Sequence, residues 1–314
     1  MSNYSSKGIR VVQDRLYDHQ AYLLLRILPL IHRYKEFAIK GGTAINFFYR
    51  KMPRLSVDID LSYLPIQNRQ VSLDKIDYLL NEITRDIKRS IPEASIESSQ
   101  SEGSINRLTV STKNATIKIE PNLVIRGSVY PAIEKTIAPS VSEYFELSAR
   151  SQVLSLADVY GGKICAALDR QHPRDLFDIK LLLENEGITQ NIKNAFIIYL
   201  ISHPRPMVEL LDPNFIPIES LFYQEFEGMT FVSITINELL RVREALVKEI
   251  NSQLSEKDKQ FILSIKSGNP DWHLSPVAKV AELPAVKWKL VNIRKMSKAR
   301  HHSAYSKLET LLIT

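Results

Sequence analysis

Lys40-Gly41-Gly42-Thr43-Ala44-Ile45, followed by Arg54-Leu55-Ser56-Val57-Asp58-Ile59-Asp60-Leu61, is the stretch on which the fold turns. Phe37 to Lys40 is a short apolar run that enters the glycine pair. Residues 55–61 alternate Leu, Val and Ile with Ser and Asp, the period of a strand. Side chains at i and i+2 share a face of a strand. Asp58 and Asp60 therefore converge on one side, with Val57, Ile59 and Leu61 on the other. Neighbouring carboxylates repel, and a cation between them relieves the repulsion. Mg²⁺ takes hard oxygen ligands and keeps positions open for water and phosphate oxygens. An acidic pair on a sheet is thus one way to hold it over a nucleoside triphosphate. Alone, Asp-x-Asp equally suits a solvated strand face.

The glycine turn adds to this reading. Two glycines let the backbone approach a ligand. Thr43 is expected to cap the helix of residues 44–49, whose first N–H groups would favour a phosphate. Ser56 faces the same side as Asp58, within reach of a phosphate. Glycine turn, Arg54, Ser56 and acid pair together favour a site over coincidence. A further carboxylate is expected from a neighbouring strand. In Ile117-Lys118-Ile119-Glu120, Lys118 and Glu120 share a face opposite the isoleucines. That face is either solvated, or Glu120 ligates metal or serves as the base on an attacking hydroxyl.

Working outward, residues 11–34 and 73–89 carry helical periodicity. Residues 95–99, 106–111 and 116–123 read as three successive strands. Polar turns separate them at Glu102-Gly103-Ser104 and Lys113-Asn114. The first half is therefore α+β, with a mixed or antiparallel sheet flanked by helices. From Ser155 onward the signal is helical, at residues 156–168, 176–186, 192–202, 237–251 and 256–267. The expected domains are 1–150 (α+β) and 151–314 (helical, with a basic C-terminal segment).

The helical half holds a second motif. Gly161-Gly162-Lys163 lies within one helix, and small neighbours let a ligand or another backbone approach Lys163. Lys163, Ala167 and Arg170 fall on one helical face. Pro173 starts the next helix, with Asp175 in its first turn, where the helix dipole favours an acid. Lys163 could neutralise triphosphate charge, and Asp175 could orient Lys163 or a ribose. Alternatively, Arg170, Arg174, Asp175 and Asp178 form a salt-bridge cluster between helices. Cys165 reads as core packing, and His172 has no partner spacing for a metal.

The segment Lys287, Lys289, Arg294, Lys295, Lys298 and Arg300 is basic and includes Trp288. It suits contacts with an RNA backbone, a solvated tail or an acidic partner. Leu283, Val286, Leu290 and Ile293 give it an apolar face for packing.

The 314 residues are 44% hydrophobic and 24% charged, which excludes disorder of the whole chain. A net charge of +6 mildly favours an anionic partner. One cysteine, Cys165, excludes an intramolecular disulfide framework. No apolar run approaches the roughly 18–20 residues that span a bilayer. The polar stretch Met1 to Arg10 does not read as a secretion signal, so a cytoplasmic protein is expected.

Taken in order, Lys40-Gly41-Gly42-Thr43-Ala44, Arg54-x-Ser56-x-Asp58-x-Asp60-Leu61, Lys118-x-Glu120 and Lys163 through Arg170-x-x-Pro173-Arg174-Asp175-Leu176-Phe177-Asp178 resemble the AbiEii/AbiGii toxin family. That family belongs to the DNA polymerase β-like nucleotidyltransferases. The resemblance implies a nucleotidyltransferase fold with a helical C-terminal domain, and a toxin of a bacterial toxin–antitoxin pair linked to abortive infection. It implies Mg²⁺ or Mn²⁺, an NTP substrate, and RNA as acceptor, above all the 3′ end of tRNA. The implied partner is a cognate antitoxin, often with a winged helix. Asp58 and Asp60 would be metal ligands, with Glu120 as the expected third. Lys163 would contact the triphosphate and Asp175 would be the second domain's catalytic acid. Gly41, Gly42, Thr43, Arg54, Ser56 and Arg174 would line the nucleotide. The turn reads Gly-Gly-Thr rather than the Gly-Ser of the wider superfamily. Two other readings remain open: nucleotide transfer to a protein or small molecule, and a non-catalytic interaction module on the same scaffold.

Overall fold

The computed structural model describes residues 5–101 and 103–313, with side chains from Leu16 onward. Glu102, in the first polar turn read from the sequence, lies outside the described residues. The chain divides into two compact units. The first is Met1–Ser155 together with Glu225–Ser233. The second is Leu156–Gln224 together with Ile234–Thr314.

In the first unit, α1 (Ser5–Ile31) leads into β1 (Phe37–Lys40). A short helix α2 (Gly41–Thr43) continues as a π-helical turn, Ala44–Tyr49. Then come β2 (Asp58–Tyr63), α3 (Arg69–Ser90), β3 (Ser95–Ser101), β4 (Ser104–Ser111) and β5 (Thr116–Asn122). β6 (Ile133–Thr136), α4 (Pro139–Phe145) and β7 (Arg150–Val153) complete it. All seven strands form one sheet in the order β3-β4-β5-β2-β1-β7-β6. β2 runs parallel to β5 and β1 parallel to β7, while the other neighbours are antiparallel. The sheet is thus mixed and the unit α+β.

One face of the central strands is apolar. Ile39, Ile59, Leu61 and Ile119 are completely buried. The helices supply apolar stripes as well: α1 buries Leu24, Ile27 and Leu28, and α3 buries Ile76, Leu80, Ile83 and Ile87. Covering both this sheet face and these stripes is the main favourable term for the unit.

Two differences from the sequence reading have clear causes. β2 begins at Asp58 rather than Leu55, because residues 53–55 pair elsewhere. Leu55 N–H donates to Met229 O at 2.8 Å, Phe231 N–H donates to Pro53 O at 3.2 Å, and Arg54 bridges Thr230. Segment 225–233, read from the sequence as part of the helical half, thereby joins the first unit. β6 and β7 gave no strand signal; each has four residues, and β6 buries none of its side chains fully.

The second unit is helical. It begins with α5 (Leu156–Arg170), α6 (Pro173–Glu184), α7 (Gln190–Ser202) and α8 (Met207–Leu211). α9 (Glu219–Glu225) runs to its border with the returning segment. Beyond lie α10 (Ile236–Gln253), α11 (Glu256–Ser267), α12 (Pro284–Arg294) and α13 (Lys298–Ile313). Gly161 sets the spacing of α5 and α7. A Cβ there would meet Ala195 Cβ and Phe196 N, both at 2.8 Å. The close neighbour admitted by this glycine is therefore a helix backbone. Capping boxes at Thr235/Glu238 and Ser255/Asp258 start α10 and α11. Among the described residues no helix is long and apolar enough to cross a membrane.

Candidate active site

Strand register builds the first part of the site. Lys40 of β1 lies opposite Asp60 of β2, and Asp60 lies opposite Glu120 of β5. One step of two residues away, Asp58 lies opposite Lys118. Directly paired residues present their side chains on the same sheet face. Lys40, Asp60 and Glu120 therefore form a row across three strands. Arg107 of β4 extends it, its Nε donating to Glu120 Oε1 at 2.5 Å. The two carboxylates sit side by side with a cation at each end of the row, so each has one cation beside it. Asp58 and Asp60 are both half-buried and flank the fully buried Ile59.

The glycine turn packs against this pair. Gly41 has φ +65°, and a Cβ added there would overlap Asp60 Oδ2. A Cβ on Gly42 would stand 2.7 Å from Arg54 Nη2 and 3.3 Å from Ser56 Oγ. Gly41 is required by its left-handed backbone and its approach to Asp60, while Gly42 leaves room for the end of the Arg54 side chain.

Thr43 does not act as the expected helix cap. It lies inside the helical stretch with φ −64°. Its buried Oγ1 donates to Asp58 O at 2.5 Å and is 2.9 Å from Ser56 Oγ. Thr43 instead ties the turn to the start of β2. Ser56 and Arg54 are also buried, at 6% and 3% exposure. Arg54 Nη1 donates to Leu55 O at 2.9 Å, while Nη2 faces Gly42. Both side chains therefore buttress the turn from behind.

A divalent ion fits the donors at the centre of this face. Two carboxylates project from alternate residues of one strand, and Asp60 occupies a cradle that a Cβ at Gly41 would fill. Hard oxygen donors suit Mg²⁺ or Mn²⁺. Among the described residues, no three His, Cys, Asp or Glu side chains are placed to share an ion. Glu120, expected as the third ligand, instead has its carboxylate engaged by Arg107.

In the second unit, Lys163 of α5 reaches into the first turns of α6. Its Nζ is 2.7 Å from Asp175 Oδ1 and 3.0 Å from Asp178 Oδ2. Arg170 Nε donates to Asp175 Oδ2 at 2.5 Å. Lys163 is 6% exposed and both aspartates are fully buried. The salt-bridge cluster and the orientation of Lys163 by Asp175 are therefore the same structure. Burial pushes the Asp175 carboxyl upward. The charges and hydrogen bonds of Lys163 and Arg170 outweigh it and hold the group far below the usual carboxylate range. His172 is the N-cap of α6, its Nδ1 accepting the Arg174 N–H at 3.1 Å. Arg174 itself is half-buried. Cys165 is buried in the core, and burial pushes its thiol up.

The basic segment is only partly available to a ligand. Lys287, Lys295, Lys298 and Arg300 are exposed, as is Trp288 at 54%. Lys289 turns inward: its Nζ donates to His203 O at 2.6 Å and to Arg205 O at 2.8 Å. Burial and the nearby Lys266 lower its pKa to about 8. Arg294 donates from Nε and Nη2 to Gly268 O, at 3.2 and 3.0 Å. Lys289 is thereby turned away from the expected RNA face, whereas Arg294 ties α12 to Gly268 and stays exposed.

A mixed sheet with paired carboxylates beside a glycine turn, in a chain with a helical second unit, is an arrangement that fits a nucleotidyltransferase. Residues 22–292 match the family described as nucleotidyl transferase AbiEii toxin of type IV toxin–antitoxin systems, and the chain belongs to that family. It is a toxin nucleotidyltransferase, whose family implies an NTP substrate, a divalent metal and an antitoxin partner. Among solved structures it resembles MenT4, a nucleotidyltransferase toxin from Mycobacterium tuberculosis. The two are 13% identical with a TM-score of 0.58, over 90% of this chain and 94% of the other. No curated protein matches the sequence.

Two predictions follow from this geometry. Asp175 contributes stability above the ordinary carboxylate pKa of about 4 and loses it as pH falls further. Urea midpoints should fall more steeply below that pH for the wild type than for Asp175→Asn; parallel profiles would contradict the buried ion pair. Gly41→Ala should keep the far-ultraviolet spectrum, lose about 1–2 kcal/mol from the left-handed backbone, and abolish transferase activity by displacing Asp60. Full activity in Gly41→Ala would contradict the close approach.

Proposed function

We propose that this toxin transfers a nucleoside monophosphate from an NTP to the 3′ end of RNA, with tRNA as the acceptor. The observation that carries the reading is the half-buried Asp58/Asp60 pair on one strand against Gly41. Asp58 and Asp60 hold Mg²⁺ or Mn²⁺. When bound, that ion supplies charge neutralisation to phosphate oxygens during displacement. Thr43, Ser56 and Arg54 keep the turn rigid, so the carboxylates need not reorganise as charge develops.

In the transfer, the acceptor's 3′ oxygen bonds to the α-phosphorus and the bond to the pyrophosphate oxygen breaks. Glu120, next to Asp60 and kept beside a cation by Arg107, is assigned the proton of the attacking hydroxyl. Lys163 is assigned charge neutralisation on the triphosphate. Two of its three N–H donors hold Asp175 and Asp178, and these fix its rotamer. Exposed Lys287, Lys295, Lys298 and Arg300, with Trp288 among them, favour RNA over a protein or small-molecule acceptor. Their charges suit phosphates and the indole suits stacking on a base. The expected setting is the cytoplasm, where NTPs, tRNA and an antitoxin partner are all available.

Purified protein with Mg²⁺, each labelled NTP in turn and total tRNA should place label on RNA. Asp58→Asn should lower that labelling at least about a thousandfold while retaining the wild-type unfolding midpoint within about 1 kcal/mol. Lys287→Glu combined with Lys295→Glu should raise KM for tRNA with little change in kcat. Label found on protein alone would overturn the RNA assignment. Near-wild-type labelling by Asp58→Asn would overturn the metal assignment.

A further inference from the structure

Arg126, in the loop after β5, is a buried arginine whose guanidinium has few partners among the described residues. It is 5% exposed. Its Nε lies buried with no hydrogen-bond partner among the described residues. Nη1 makes a single long bond, 3.4 Å, to Arg69 O. No carboxylate pairs with it among the described residues; the charged or titratable neighbours that act on it are Arg69 and Tyr63. A guanidinium stays charged at any accessible pH and offers five donors. Leaving it buried beside another arginine, without an anion, is unfavourable.

The place to which Arg126 points explains what could relieve this cost. Arg69 is the first residue of α3, a helix of 22 residues. Its first turn contains no acidic residue. Asn68 caps it through Oδ1 to the Gln70 N–H at 2.9 Å, and Ser72 N–H donates to Asn68 O. The positive end of the helix dipole therefore lies beside two guanidinium groups. Ser72 adds a buried Oγ with no partner among the described residues in the same first turns. The neighbourhood is held in place by Gly127, whose N–H donates to Tyr63 O at 2.8 Å and whose carbonyl accepts from Ser62 Oγ at 3.2 Å. Asp60 and Tyr63 lie three residues apart on β2, which is roughly 10 Å along a strand. The charge-poor end of β2 is thus distinct from the carboxylate end.

We propose that Arg126 and the first turn of α3 form a second oxyanion site in this unit, built for a phosphate group and separate from the Asp58/Asp60 pair. The guanidinium presents paired N–H donors of the geometry that phosphate oxygens accept. The helix start adds the positive end of its dipole. Arg69, exposed at the rim, supplies the second charge and the entry. The phosphate is either a free anion or one backbone phosphate of the nucleic-acid acceptor, and both present the same oxygens.

Calorimetric titration with inorganic phosphate, at constant ionic strength against chloride, tests this on the full chain. Wild type should bind phosphate, and Arg126→Met should weaken binding at least about tenfold. Arg69→Gln, an exposed change that leaves the core untouched, should weaken it severalfold. Asp60→Asn should bind phosphate as wild type does, which separates this site from the proposed transferase chemistry. The side-chain Nε–H resonance of Arg126 should shift on phosphate addition, a readout that needs no variant. A short oligouridylate distinguishes the sources. If Arg126→Met weakens both ligands, the site takes a backbone phosphate; if it weakens phosphate alone, the site takes the free anion. Absence of phosphate binding, or equal affinity in wild type, Arg69→Gln and Arg126→Met, would overturn the proposal.

Discussion

The register of β2 against its two neighbours is the constraint on which the first unit's chemistry depends. Antiparallel pairing with β1 puts Lys40 beside Asp60, and parallel pairing with β5 puts Glu120 on its other side. A slip of one residue would turn both aspartates into the apolar layer and expel Ile59 and Leu61. The hydrophobic face thus fixes the acidic face. Thr43 locks the same register from the turn, since its hydroxyl bonds to Asp58 O and Ser56 Oγ. The carboxylates are held close together by backbone pairing and by neighbouring cations, rather than by mutual attraction.

The second unit follows another rule. Its charged centre is buried, and it is stable because donors and acceptors match. Lys163 serves two aspartates, and Asp175 receives both Lys163 and Arg170. Removing Lys163 leaves uncompensated buried charge on Asp175 and Asp178. The same logic governs Lys193, which pairs with Asp258 at 2.6 Å. Arg126 departs from this pattern: among the described residues no carboxylate pairs with it, and its Nε lies buried without a partner.

Much of this was legible in the sequence where local pattern carries the information. Alternation at residues 55–61 gave the shared face of Asp58 and Asp60, and Gly-Gly marked the turn. The helical boundaries of α5 to α7 and α11 followed from apolar spacing and from Pro173. What was not legible depends on partners distant in the chain. Leu55 looked like the start of β2, but residues 53–55 pair with Met229, Thr230 and Phe231. Thr43 looked like a cap because the residues it bonds, Ser56 and Asp58, come later in the chain. Lys289 looked like a ligand for RNA. Only tertiary packing shows that carbonyls of His203 and Arg205 receive it. Arg107 gave no signal, because its pairing with Glu120 is visible only once β4 and β5 are in register.

The proposed transfer requires Asp58 and Asp60 to hold one divalent ion. The direct measurement is an electron paramagnetic resonance titration of Mn²⁺, with and without a non-hydrolysable NTP. The wild type should bind one Mn²⁺ more tightly when the nucleotide is present. Asp58→Asn and Asp60→Asn should each lose that ion while remaining folded. Undiminished Mn²⁺ binding in both variants would contradict the central claim.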